Sequence, residues 1–318
     1  MLPAIAEIVR SGFVEGHHYG SLVALDPSHE VVHARGEVAT TILPRSCNKP
    51  IQAVGMVRAG LDLDGELLAL ACASHSGEPF HVEGVRRILA RASLDESALQ
   101  TPPGWPLDDS VRDELVRSGG AASPVHMNCS GKHAAMLLTC VTNGWPTDSY
   151  LAPDHPLQQA IATTFSELTG EPIGHVAVDG CGAPLLGTSL TGLARAFSVL
   201  ATGAAPEEAR VADAIRRHPE FVSGTNRDEC ALLRAIPGAV AKAGAESCYA
   251  VALADGRAFA LKTDDGAPRA RPVVMAALLR HLGVDTEPGV DTDAVRRTGA
   301  APLTGGGAVV GEIRGLVA

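Results

Sequence analysis

Apolar and polar residues alternate through residues 4–10 (AIAEIVR), 20–26 (GSLVALD) and 29–36 (HEVVHARG), with Asp26-Pro27-Ser28 interrupting the last two. A two-residue period punctuated by such residues predicts strands joined by a turn, so the chain opens as an antiparallel ribbon. After Pro44 the period changes. Residues 50–60 (PIQAVGMVRAG) read as a buried helix closing near Gly60, with Pro50 making its entry irregular. Helical spacing continues through 63–75, 81–93, 131–144, 155–170, 206–220 and 229–238, with residues 101–110 (TPPGWPLDDS) as a loop. Strand character returns at 239–246, 247–254 and 256–266, where Asp255-Gly256 marks a hairpin. A helix at 271–283 and a strand at 308–318 complete the pattern. Strands at both ends with helices between predict an α+β fold, one antiparallel sheet assembled from both termini around a helical insertion. The expected organisation is a single domain, with a sheet lobe at about 1–45 and 236–318 and a helical lobe at about 46–235. Internal repeats and low-complexity segments are absent.

Composition sharpens this picture. The chain of 318 residues is 46% hydrophobic but only 3% aromatic, so its core is packed from small and branched side chains. A net charge of -10 without a basic run argues against nucleic acid and anionic membranes as partners. No apolar stretch approaches bilayer length, and the N-terminus alternates instead of carrying an export signal; the expectation is a cytoplasmic protein. Seven scattered cysteines, an odd number in a chain of this kind, predict no disulfides.

Four constellations could carry chemistry. Ser46 precedes Lys49 by three residues. This S-x-x-K is either a helix cap followed by a lysine or a nucleophile with its base; a serine hydroxyl needs such a base, and a helix N-terminus offers N–H groups to an oxyanion. Lys242-Ala243-Gly244 at a strand edge resembles the K-[TS]-G of serine acyl-transfer enzymes, its lysine supplying charge and its glycine letting substrate approach the backbone. Ser74-His75-Ser76-Gly77-Glu78 would supply the hydroxyl element between them. Cys129, Cys181 and a neighbouring His or Lys offer zinc ligands, against which stands a plain reading of a cap and two loop cysteines. Residues 223–228 (SGTNRD) suit a small zwitterion, or form an ordinary capped turn.

In order along the chain, PRSCNKPIQ, ASHSGEP, NCSGKHAAML, VDGCGAPLLG, SGTNRDE, KAGAE and LKTDDG resemble the Rhizobium etli-type (class 3) L-asparaginase family over about residues 10–315. The resemblance implies a fold like the serine β-lactamases and glutaminases, a homodimer, and hydrolysis of L-asparagine to L-aspartate and ammonia through an acyl-enzyme. Ser46 and Lys49 match the first Ser-Lys pair. Ser74, with Ser76 as its alternative, and Lys242, with Lys262 as its alternative, match the second. Cys129, Lys132 and Cys181 match a zinc site. Arg45, His133 and Asp179 match substrate-binding positions, and Cys47-Asn48 stands where the family often has small residues. The rival readings are a glutaminase or penicillin-recognising enzyme of the same fold, and a non-catalytic zinc- or amino-acid-binding protein.

Overall fold

The structure, a computed structural model, describes residues 2–318. Its strands are β1 (Ala4–Arg10), β2 (Phe13–Leu25), β3 (Val31–Arg35), β4 (His175–Val178), β5 (Pro184–Gly187), β6 (Val240–Gly244), β7 (Cys248–Ala252), β8 (Ala258–Thr263), β9 (Pro302–Gly305) and β10 (Ala308–Gly315). Eight of them form one antiparallel sheet in the order β6-β7-β8-β2-β1-β10-β9, with β3 also on β2. The first strand therefore pairs with the last, Ile8 opposite Ile313. This is the expected α+β arrangement, strands from both ends around intervening helices.

The chain divides into two units. One comprises the chain through Cys47, Thr188–Thr202 and Ala231–Ala318, and holds the eight-stranded sheet. Helix Leu190–Thr202 packs on β2, β7 and β8, and helix Ala270–His281 on β1, β8 and β10. Strand β2 is longer than its alternation suggested, because it serves two sets of partners: β1 pairs with its first half, β8 and β3 with its second. Gly20 stands at the changeover, where a Cβ would lie 2.3 Å from the Lys262 carbonyl oxygen.

The other unit, Asn48–Gly187 and Gly203–Cys230, is mainly helical. Helix Gly65–Ala71, buried from Leu67 onward, packs against Pro79–Arg91, Ser130–Asn143, Pro206–Arg217 and Pro219–Val222. Helix Asp109–Arg117 begins within the expected loop, because the Asp108 carboxylate accepts from Ser110 N and Val111 N and caps it. The two-stranded sheet β4-β5 was not foreseen; its strands have four residues each, too few for a period to show. No described helix is long and apolar enough to cross a membrane.

Candidate active site

Ser46 lies in a 3-10 turn, Arg45–Asn48, that leads into helix Lys49–Arg58. Pro50 has no N–H to give and sits in the helix's first turn, where none is needed. The helix therefore starts at Lys49, with Asn48 and not Ser46 at the cap position. The Asn48 side chain is used elsewhere, donating to the Leu186 carbonyl at 2.8 Å.

In the sheet unit, strand β6 forms a seat for this turn. A Cβ on Gly244 would stand 2.5 Å from the Pro44 carbonyl oxygen and 3.3 Å from Ser46 N, so the K-A-G glycine is required by close backbone approach. The Cys47 thiol donates to the Lys242 carbonyl at 3.0 Å. Lys242 is fully buried and its Nζ donates to the Ala243 carbonyl at 2.9 Å. Lys262 instead donates from Nζ to the Glu246 carbonyl in the β6–β7 turn. That turn is tight, with Glu246 and Ser247 both at φ 53°. Arg45, itself at φ 54°, sends its guanidinium to Glu246 at 3.5 Å.

In the helical unit, Lys49 is 1% exposed. Its Nζ donates to the Ala73 carbonyl at 2.5 Å and to Ser74 Oγ at 2.9 Å. Of the two serines in the SHSGE segment, Ser74 is thus the one bonded to a lysine. Val222 and the SGTNRD segment that follows it brace the SHSGE segment. Ser74 N donates to the Val222 carbonyl, and Thr225 N to Glu78 Oε2. Gly224, at φ 148°, lies so close that a Cβ would fall 2.2 Å from Ser76 Oγ. His75 turns the other way, its Nε2 2.8 Å from Ser130 Oγ and its ring stacked on His81 at 5.1 Å. Burial, with the charges of His81 and Lys49 adding to it, holds His75 well below the ordinary histidine value. Burial pushes His81 down to about 4.

Cys129, Lys132, His133, Asp179 and Cys181 gather in the same unit, brought together by the start of helix Ser130–Asn143 and the β4–β5 turn. Lys132 Nζ donates to Cys181 Sγ at 3.3 Å. Hydrogen bonds from Cys129 and His133, together with the Lys132 charge, hold Cys181 far below the usual thiol value despite its burial. Cys129 moves the opposite way, raised by its bond to that thiolate and by burial. Burial opposes the Lys132 charge, but Cys181, Cys129 and Asp179 outweigh it and hold its pKa above that of an ordinary lysine. His133 Nδ1 lies 2.7 Å from the Tyr150 hydroxyl, and Asp179 Oδ2 3.7 Å from Cys181 Sγ.

This arrangement corrects the zinc expectation. Among the described residues no three His, Cys, Asp or Glu side chains converge to hold a metal ion. The third member of the cysteine cluster is a lysine, Lys132, whose Nζ serves as a hydrogen-bond donor to Cys181 Sγ. The three residues matched to metal ligands lie in one cluster, but Lys132 Nζ donates to Cys181 Sγ and Cys129 Sγ donates to Asn128 Oδ1. Sequence reasoning also passed over the His75–His81 stack, the Glu78 brace and Tyr150. His75 and Glu78 lay inside a quoted motif, whereas nothing in the residues around Tyr150 marks it.

The L-asparaginase II family matches residues 6–315, and the chain belongs to it. The family is one of amide hydrolases, with a small molecule as substrate. No curated protein matches the chain. Among solved structures, a β-lactamase (Mb2281c) from Mycobacterium bovis is similar at 15% identity and TM-score 0.47, covering 82% of this chain and 94% of that one. A protein titled Mglu in its native form is similar at 13% identity and TM-score 0.46, covering 84% of this chain and 64% of that one. EstCE1, titled a hydrolase with promiscuous acyltransferase activity, is similar at 12% identity and TM-score 0.41, covering 79% and 91%.

Proposed function

We propose that the protein hydrolyses the side-chain amide of L-asparagine, releasing L-aspartate and ammonia. The observation that carries this reading is the buried Lys49–Ser74 hydrogen bond at 2.9 Å, beginning three residues after Ser46 in a chain of the L-asparaginase II family. In the proposed reaction Ser46 Oγ attacks the amide carbon and gives its proton to Lys49 acting as a neutral amine. Backbone N–H groups of the 3-10 turn receive the oxyanion. The hydrogen bond from Lys49 to Ser74 Oγ offers a path by which the proton moves on to the departing ammonia. Water then attacks the acyl-serine and frees aspartate. Lys242 supplies a buried cation beside the K-A-G edge, and Arg45, His133 and Asp179 meet the substrate's charged groups. The chain works as one asparaginase domain, cytoplasmic and homodimeric; sedimentation tests the last of these.

Ammonia release from L-asparagine and from L-glutamine tests the reading, with wild type beside Ser46→Ala, Lys49→Met and Ser74→Ala. Ser46→Ala is expected to lower asparagine turnover by about 10³-fold or more. One specific observation favours a second assignment within the same chemistry: Ser74 is the serine to which Lys49 donates. Trapping the acyl-enzyme and locating the mass increment decides between them, on Ser46 or on Ser74. A preference for glutamine would redirect the substrate assignment. A folded wild type that releases ammonia from neither would refute it.

A further inference from the structure

Residues 73–78 link helix Gly65–Ala71 to helix Pro79–Arg91 and form no helix or strand of their own. A link of this kind keeps its place through hydrogen bonds to what surrounds it. Ser74 N donates to the Val222 carbonyl at 3.1 Å, and His75 N to the Asn128 carbonyl at 3.0 Å. His75 adds a tie through its ring, with Nε2 2.8 Å from Ser130 Oγ. The Ser130 hydroxyl has one proton, which it donates to the Val125 carbonyl at 2.8 Å. Ser130 therefore accepts from the ring, and this fixes His75 as the Nε2–H tautomer. Its Nδ1 is left as a buried lone pair with no partner among the described residues. His81 is fixed in the same way, because its Nε2 lies 2.9 Å from the Glu220 carbonyl, which can only accept. The two rings stack 19° from parallel, so the His75 imidazole is held by its face as well as by its edge. Burial, and after it the charges of His81, Lys49 and His126, keep the ring uncharged at neutral pH.

We infer that His75 is a positioning residue of the amidase site: its Nε2–H bond to Ser130 holds Ala73 and Ser74 where Lys49 donates to them. This role rests on the amidase reading, in which Lys49 takes the nucleophile's proton and Ser74 passes it on. His75 acts through the two residues before it and not on the substrate. Loosening the ring lets both acceptors drift from Lys49 Nζ, and a misplacement of about 1 Å in such a contact costs about 10²-fold in rate. The same bond joins the SHSGE segment to the first residue of helix Ser130–Asn143, which also carries Lys132 and His133.

Steady-state kinetics with L-asparagine, or L-glutamine if that is the better substrate, test the role in wild type, His75→Leu, His75→Gln and Ser130→Ala. The leucine side chain has no donor, whereas the glutamine side chain keeps an N–H near the place of Nε2. Circular dichroism gives the folded fraction to which each kcat is referred. His75→Leu is expected to lower kcat by about 10²-fold while KM changes by no more than about twofold. His75→Gln should recover most of that loss. Ser130→Ala should lose about as much as His75→Leu, and the double variant no more than either, because both remove one bond. Nitrogen NMR of the histidine rings in the wild-type protein needs no variant to fold, and should show His75 protonated at Nε2 and bare at Nδ1. A His75→Leu enzyme with wild-type kcat, a His75→Gln enzyme equally impaired, additive losses in the double variant, or a proton on His75 Nδ1 would each overturn the inference and leave the amidase reading intact. A folded wild type that releases no ammonia refutes the amidase reading, and the role of His75 falls with it.

Discussion

Gly224 and Gly244 hold their positions for different physical reasons. Gly244 has an ordinary backbone but a carbonyl oxygen 2.5 Å from where its Cβ would be, so Gly244→Ala must push the Ser46 turn away from β6. Activity is expected to fall by about 10²-fold while stability drops by only about 1–3 kcal/mol, read from kcat and a urea melt. Gly224 combines a clash at 2.2 Å with a φ of 148°, so Gly224→Ala should cost about 3 kcal/mol or more. His81 sets a pH dependence. Its folded pKa of about 4 lies below the ordinary 6.5, so between those values the unfolded chain takes up a proton that the folded one refuses. The stability it contributes is complete above pH 6.5 and is lost as pH falls towards 4, by about 1.4 kcal/mol per pH unit. His75 and His133 shift in the same direction and steepen the loss. A His81→Gln variant should show a shallower decline in urea midpoint between neutral pH and pH about 5; an unchanged slope would remove His81 from the account.

At the scale of elements, the Lys132–Cys181 pair ties the first turn of helix Ser130–Asn143 to the β4–β5 hairpin. A buried ion pair adds little net stability, but removing one partner strands the other's charge. Cys181→Ala is therefore expected to destabilise by about 3–5 kcal/mol, and Cys181→Ala combined with Lys132→Met by less than the single change. Equal or additive losses in the double-mutant cycle would show that the two groups do not act as a pair. Helix boundaries were legible wherever local chemistry decides them. Asn143-Gly144 ends its helix as expected, with Gly144 at φ 66°. The start at Lys49 was less legible, because Ser46 offers a plausible cap while the observed cap, Asn48, lies two residues later.

For the molecule as a whole, the sheet is closed by its own termini. Strand β10 lies between β1 and β9, Leu316 N donates to the Ile5 carbonyl, and Arg35 donates to the Leu316 carbonyl. Deleting residues 302–318 would leave β1 as an unpaired edge and uncover helix Ala270–His281. The truncated chain is expected to be insoluble or to melt far below the full one, with partial recovery when the missing segment is supplied as a peptide. A soluble truncation with an unshifted melting temperature would mean that the terminal pairing contributes nothing.

By itself the amino-acid sequence determined what neighbours along the chain can decide. Alternation marked β1, β7 and β8, helical spacing marked most of the helices, and the motif order marked the family, because periods and turn residues act over a few positions. Only the tertiary structure decided which side chains meet across long separations. It gave Lys49 to Ser74, twenty-five residues away, and Lys132 to Cys181, forty-nine away. Where the motif order suggested zinc ligands, it set Lys132 as a hydrogen-bond donor to Cys181, a contact that depends on what packs around a lysine and not on its place in a motif. Burial, charge and close approach arise from packing, and no local pattern encodes them.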